Sequence, residues 1–399
     1  MTHQAEPPPQ TDADSTKVPL LACPAVPSER GVLRSRRTLL ATGGAAIMAL
    51  AGWKWFRHTS WPKLFAPNFL GEGPVFVARN QRYDGTLEQT IRDGLSAVGL
   101  DTAWLRGRRV LLKPNLVEPL RAAPHMTTDP AVVVAAAEVF RQLGATVTVG
   151  EGPGHVRDTE LALFESRLGE SLAAARLPFV DLNVDDVRRV GNRSRVSKLR
   201  ELYLPESVLE SDLVVSMPKL KTHHWVGMTA AMKNLYGVMP GIKYGWPKNV
   251  LHHAGIPESV VDINAALPRT MAIVDGIVCM EGDGPIMGSP RRLGLLLMGI
   301  NVTAVDATCA RIIGLDPTKV SYLRLADCRL GPIDDELIPM RGDDWRQLVT
   351  PLEMLDRPHL NLLRVTNTEG LTPPARQASN FARQFVSRAS TTRLGERPA

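Results

Sequence analysis

Residues 212–237, DLVVSMPKLKTHHWVGMTAAMKNLYG, decide how the chain is read. The run at 212–216 is short, apolar and rich in β-branched side chains, which predicts a buried strand. Pro218 ends its ladder, having no N–H to donate. Directly beyond it come Lys219, Lys221, Thr222, His223 and His224. A helix is expected from about Gly227, carrying Lys233 and Asn234, with Gly237 at its C-terminal cap. In open α/β sheets, ligands bind beyond the carboxyl ends of strands. Lysines and imidazoles gathered at such an end predict half of a site for an anionic ligand. The plainer alternative is a solvated basic loop, the usual fate of a charge run.

Upstream, strand and helix signals alternate. Residues 74–78 (PVFVA) read as the first strand and 86–98 as a helix closed by Gly99. Residues 109–112 form a second strand that delivers Lys113, Pro114 and Asn115 at its carboxyl end. Asp129 is a good N-cap and Pro130 suits the first helical position, so a helix runs from there to about Leu143. Residues 145–149 are a third strand, followed by the turn GEGPG at 150–154. That turn is neither GxGxxG nor a phosphate-binding P-loop. It serves a close backbone approach to a ligand or a plain tight turn, and it carries Glu151. Residues 158–175 read as helix, and 197–204 as an edge strand.

Downstream, 242–255 is irregular and holds His252 and His253. Residues 257–267 form a helix with proline at its start. A strand at 270–274 ends in Asp275, and an acidic, glycine-loosened loop with Glu281 follows at 280–285. Residues 293–298 are an apolar strand, and 302–313 a helix with Asp306 in its first turns. Past residue 316 the signal fades, although 359–365 suits one more strand. This order predicts an α/β fold: a Rossmann-like layered, mostly parallel sheet with helices on both faces.

The totals fit. The 399 residues are 44% hydrophobic, with no repeat, so a folded core is expected. The net charge is +6, and much of the excess sits near the two ends. With the middle nearly balanced and no aromatic–basic interleaving, nucleic-acid binding is not expected. Cys23, Cys279, Cys309 and Cys328 form no CxxC pair, so no iron–sulfur motif or zinc knuckle is written here. Buried free thiols are the simplest reading.

The chain divides into a leader at 1–70, a body at 71–330 and a C-terminal extension at 331–399. The leader begins polar and proline-rich, a composition that disorders a chain. Then SRRTLL at 35–40 precedes an uncharged, weakly apolar run. An Arg pair before such a run resembles a twin-arginine export signal. Trp53, Lys54, Trp55, Phe56, Arg57 and Trp61 form an aromatic–basic collar of the kind found at membrane interfaces. Export by the twin-arginine machinery is therefore expected, to a periplasmic or outward-facing, membrane-anchored location.

The strand ends present Lys113, Asn115, Glu151, Lys219, Lys221, His223, Asp275 and Glu281. Lysines with a few acids suit a phosphate- or carboxylate-bearing ligand and proton transfer. His223, Glu151 and Lys221 are the catalytic candidates. Lys113, Asn115, Lys219, Lys233, Asn234 and Asp275 are the ligand-binding candidates. A divalent metal is a second expectation, with Glu281 and His252 as its ligands. Neighbouring histidines in extended chain point opposite ways, so one of each pair would face a shared ion. No GxSxG elbow suggests a serine hydrolase.

KPN at 113–115, TTDP at 127–130, GEGPG at 150–154, PKLKTH at 218–223, MKNLYG at 232–237, IVDG at 273–276, EGDGP at 281–285 and AVDA at 304–307 occur in that order. Together they resemble the family called domain of unknown function 362, over roughly residues 75–315. The resemblance implies Rossmann-like layering and an unassigned biochemical role. Some members carry a ferredoxin-type module with cysteine clusters, which this chain lacks. Three functions follow as expectations: an exported enzyme acting on a small anionic substrate, a non-catalytic binding or assembly factor, and a metal- or cluster-associated redox protein.

Overall fold

The computed structural model describes residues 73–365, apart from 155, 156 and 328, all within the compact unit Pro62–Ala399. The expected leader, with its twin-arginine pair and aromatic collar, lies outside the described residues, as do Cys23 and Cys328.

Twelve strands are seen among the described residues. They are β1 (Val75–Ala78), β2 (Arg109–Lys113), β3 (Thr146–Glu151), β4 (Phe179–Asp181), β5 (Val187–Gly191), β6 (Glu201–Pro205), β7 (Leu213–Ser216), β8 (Lys219–His223), β9 (Gly227–Thr229), β10 (Thr270–Glu281), β11 (Ser289–Gly299) and β12 (Met340–Gly342). The main sheet runs β12-β1-β11-β10-β7-β2-β3-β4, with β8 also on β10 and β9 on β8. The β10-β7-β2-β3-β4 run is parallel throughout, whereas β11 is antiparallel to both its neighbours. The expected α/β architecture is thus present, as a mostly parallel sheet.

Alternation along the central strands explains the helices on both faces. Leu213 and Val215 of β7, with Val110 and Leu112 of β2, face one core; Val214 and Leu111 face the other. Strands buried on both sides must be apolar at nearly every position. The helices Leu87–Ala97 and Pro130–Gln142 cover the first face, and Ile256–Ala266 and Val302–Ile312 the second. Asp129 caps the helix at Pro130 as expected, its side chain accepting from the Ala131 N–H at 2.9 Å.

Several expectations need correction. Residues beyond Pro218 are not a loop: Lys219–His223 form β8, and all five are buried. The proline interrupts the edge for two residues, and the chain then resumes pairing along β10. No helix starts at Gly227. Gly227–Thr229 is β9, folded back on β8, and helix is limited to Ala231–Asn234 and a 3-10 turn at Leu235–Val238. Gly227 has a φ of 86°, which suits a hairpin return. Residues 158–175 hold two helices, Thr159–Glu165 and Leu168–Ala174, split where Arg167 adopts φ 60°. The 242–255 stretch contains the short helices Gly241–Tyr244 and Asn249–His253. The strand expected at 359–365 is instead a helix, Pro358–Asn361, begun by its proline. β6 is matched by β5, which sequence reading missed, in a separate two-stranded sheet. After residue 330 the chain continues into the fold, with β12 beside β1 and Trp345, Val349 and Leu352 in the core.

Candidate functional site

The parallel strands all end on one side, and their last residues carry the polar groups. Lys113 closes β2, Glu151 closes β3, and Ser216 closes β7. Lys113 and Ser216 are register partners, so their strands end level. β8 then extends the layer and aligns Lys219 with Asp275 of β10. The distant segments therefore converge, but in the interior rather than on an open rim. Lys113, Lys219, Lys221 and Asp275 are 0–1% exposed, and Glu151 3%.

Two ion pairs anchor the layer. Lys113 Nζ pairs with Glu151 Oε1 and also donates to Asn234 Oδ1 at 3.1 Å and to the Pro114 carbonyl at 2.9 Å. Asn234 in turn donates to the Lys113 carbonyl and to Ser216 Oγ. Asn115 Nδ2 donates to the same Asn234 Oδ1 at 3.3 Å. The second pair is Lys219 Nζ with Asp275 Oδ2 at 2.5 Å. Asp275 also accepts from Tyr83 Oη and from the Asp129 N–H, both at 3.0 Å. Buried charges persist only when paired and hydrogen-bonded in this way.

Lys221 is different. It is fully buried, yet among the described residues its ammonium donates only to two backbone carbonyls, of Met126 and Pro285. Burial, with the nearby charges of Lys219, Lys233 and Lys113, pushes its pKa well below the ordinary lysine value. Burial also lowers Lys113, and lowers Lys233 to about 8, with Lys113 contributing. His223 is held well below the usual imidazole range, by burial and then by Lys233. Its Nδ1 accepts the Trp225 N–H at 3.1 Å. A neutral ring in that setting carries its proton on Nε2.

Sequence reading missed three contributors. Tyr83 bridges Lys219 and Asp275 from a loop after β1, accepting from Lys219 Nζ at 2.8 Å. Lys248 is buried against Asn183 Oδ1 at 3.1 Å and the Met239 carbonyl, and burial lowers its pKa to about 8. Asp306 accepts the N–H groups of Ala231 at 2.6 Å and Met232 at 3.1 Å, holding the turn that bears Lys233 and Asn234. No local signal marks Tyr83 or Lys248; Asp306 lay within a recognised motif, but its partner could not be read.

Four buried polar atoms in this neighbourhood have no partner among the described residues: Asn115 Oδ1, Glu151 Oε2, Thr229 Oγ1 and Tyr236 Oη. Thr229 is the register partner of Lys221, and Glu151 is paired to Lys113. Unmet polar atoms of this kind call for water or a ligand. Gly237 lets the backbone approach the pair closely: a Cβ there would stand 2.6 Å from Glu151 Oε1 and 2.8 Å from Lys113 Cε. Of the five lysines named, only Lys233 keeps intermediate exposure, with its Nζ 4.3 Å from the centre of the Tyr236 ring. From Tyr236 a chain of rings runs through His252 to the exposed Trp225.

The candidate metal ligands do not assemble. Glu281 Oε2 accepts the Glu353 N–H at 3.0 Å, and His252 lies among aromatic rings. Among the described residues, no group of three or more His, Cys, Asp or Glu is placed to hold a metal ion. Of the first histidine pair, His223 is buried, while His224 is partly exposed and meets Asp283 at 3.2 Å. Cys279 and Cys309 are buried free thiols.

A family model described as a domain of unknown function (DUF362) matches residues 110–311, about half of the chain. A thylakoid-associated protein of Synechocystis sp. is 32% identical over 264 residues, covering 64% of this chain and 79% of that protein. Among solved structures, the lactate racemase apoprotein of Thermoanaerobacterium thermosaccharolyticum aligns with a TM-score of 0.33 at 16% identity. That alignment covers 54% of this chain and about half, 52%, of the other.

Proposed function

The chain belongs to the family described as domain of unknown function DUF362, and we propose that it is an enzyme transferring a proton on a small phosphate- or carboxylate-bearing substrate. The observation that carries this reading is Lys221: a buried ammonium with backbone carbonyls as its hydrogen-bond acceptors, surrounded by further lysines. An anion entering there supplies the counter-charge that Lys221, unlike Lys113 and Lys219, lacks among the described residues. Lys233 and Lys113 supply the remaining positive field. Lys221 accepts the proton as its free amine, the form that its lowered proton affinity favours, and so acts as the base, as depressed lysines do in active sites. His223 is the donor through Nε2, and Glu151 orients Lys113.

The same proposal includes export by the twin-arginine route and a location at a membrane surface. Its support is the Arg36–Arg37 pair with its aromatic collar, and the description of the Synechocystis relative as thylakoid-associated.

Binding is tested by calorimetry with inorganic phosphate and with small mono- and dicarboxylates. Saturable binding that Lys221→Gln abolishes is the expected result. Chemistry is tested by incubating the same carboxylates with the protein in D2O and following deuterium uptake by NMR. Binding without exchange in any compound would favour a non-catalytic binding protein instead.

A further inference from the structure

The β5–β6 hairpin carries a charge pattern that the buried site does not use. Between Arg188 and Arg200 stand six cations, Arg188, Arg189, Arg193, Arg195, Lys198 and Arg200, and no acid. Arg188 and Arg189 are paired across the hairpin region, with Glu206 and Glu201. The other four are exposed and form no ion pair among the described residues. They occupy the connecting loop, where Arg195, Ser197, Lys198, Leu199 and Arg200 line a cavity of about 290 Å3.

The loop is held in shape from beneath. Asp262, fully buried on the helix Ile256–Ala266, accepts from Asn192 Nδ2 at 2.6 Å, from Ser194 Oγ, and from the N–H groups of Val196 and Ser197 at 2.9 Å each. The inward carboxylate takes four of the loop's donors and fixes its shape, while the four unpaired cationic residues are exposed. A fixed display of unpaired cations suits a phosphate-bearing partner.

Neighbouring residues favour a lipid surface over a soluble polyanion. The Tyr203 N–H of β6 donates to Tyr244 Oη at 2.8 Å, and Lys243 Nζ lies 5.3 Å from the Tyr203 ring centre. That contact joins the hairpin to the helix Gly241–Tyr244. There Ile242 is 50% exposed, and its N–H meets the Asn183 carbonyl beside Val184, 61% exposed. Val184 and Ile242 stand toward the end of the hairpin away from the loop, with the exposed Arg188 and Arg189 of β5 between, and exposed aliphatic side chains flanking cations are the composition of an interfacial membrane contact.

We infer that the loop 192–200, with Val184, Ile242 and Lys243, is a docking surface for the phosphate headgroups of an anionic membrane. The inference rests on neither the buried site nor the leader. The test uses the full chain with vesicles of phosphatidylcholine and phosphatidylglycerol at 3:1, and of phosphatidylcholine alone. The combined variant Arg193→Gln, Arg195→Gln, Lys198→Gln, Arg200→Gln alters exposed side chains and keeps the leader. Its melting temperature is measured beside the wild type. The expected result is salt-sensitive sedimentation of the wild type with the anionic vesicles, weakened at least about tenfold in the variant. Ile242→Ser should weaken it further. Equal sedimentation of both proteins, or none of the wild type, overturns the inference. Inorganic phosphate binding in the loop without vesicle binding also overturns it, as does binding of a single-stranded oligonucleotide alone.

Discussion

Lys219 of β8 and Asp275 of β10 are register partners, and their charged atoms meet at 2.5 Å with both side chains out of solvent. The pair is therefore set by strand alignment rather than by a chance of rotamers. Lys219→Met would leave Asp275 buried beside Tyr83 without its counter-charge. Removing one partner of a buried pair costs about 3–5 kcal/mol. Chemical denaturation should show a loss of that size.

Lys221→Met should behave differently. No carboxylate is left stranded; only the Met126 and Pro285 carbonyls lose a donor. Relief of a buried charge offsets that loss, so stability should change by less than about 2 kcal/mol. Phosphate binding should nevertheless disappear. A Lys221→Met protein as destabilised as Lys219→Met would show that Lys221 is structural.

Gly237→Ala tests the space beside Lys113 and Glu151. Its Cβ would press on both charged side chains. Overpacking of this kind costs about 1–3 kcal/mol, and anion binding should fall with it. Wild-type affinity in this variant would mean that the ligand does not approach Lys113.

The pH dependence of stability should have two limbs. Burial raises the Asp306 pKa from 3.8 to about 7. Between those values the folded state holds the extra proton at Asp306, so that group's contribution to stability falls as pH rises from about 4 to about 7, while His223, lowered by burial, contributes in the opposite sense below its ordinary value. Burial lowers Lys233 and Lys248 from 10.5 to about 8. There the unfolded state holds the extra proton, so stability rises from about pH 8 to about pH 10.5. Urea midpoints across this range check both limbs, and Asp306→Asn should remove the first.

The central strands were legible because burial on both faces demands unbroken apolar runs, as at Val110–Leu112 and Leu213–Val215. The positions of Lys113, Glu151 and Asp275 followed from where those runs stop. β8 was not legible. Its sequence, KLKTH, has the polarity of a loop, and its burial depends on Asp275 and two carbonyls that arrive from remote segments. For the same reason, the lysines were expected beyond a strand's end, at a ligand site or in a solvated loop, when they lie within a buried strand. The helix expected at Gly227 failed because the residues that follow β8 gain more from returning along it. The basic loop was hidden by averaging: a middle region near neutrality still segregates four unpaired cations onto one hairpin.

β10 runs through twelve residues and serves three neighbours, β7 and then β8 along one edge and β11 along the other. A one-residue insertion between Met271 and Asp275 would turn Asp275 to the opposite face of the sheet and bring an aliphatic side chain to Lys219. Both helical layers would then receive the wrong set of side chains at once. Length variation should therefore not be tolerated within this strand, nor in the turn after it, where the Pro285 carbonyl accepts from Lys221.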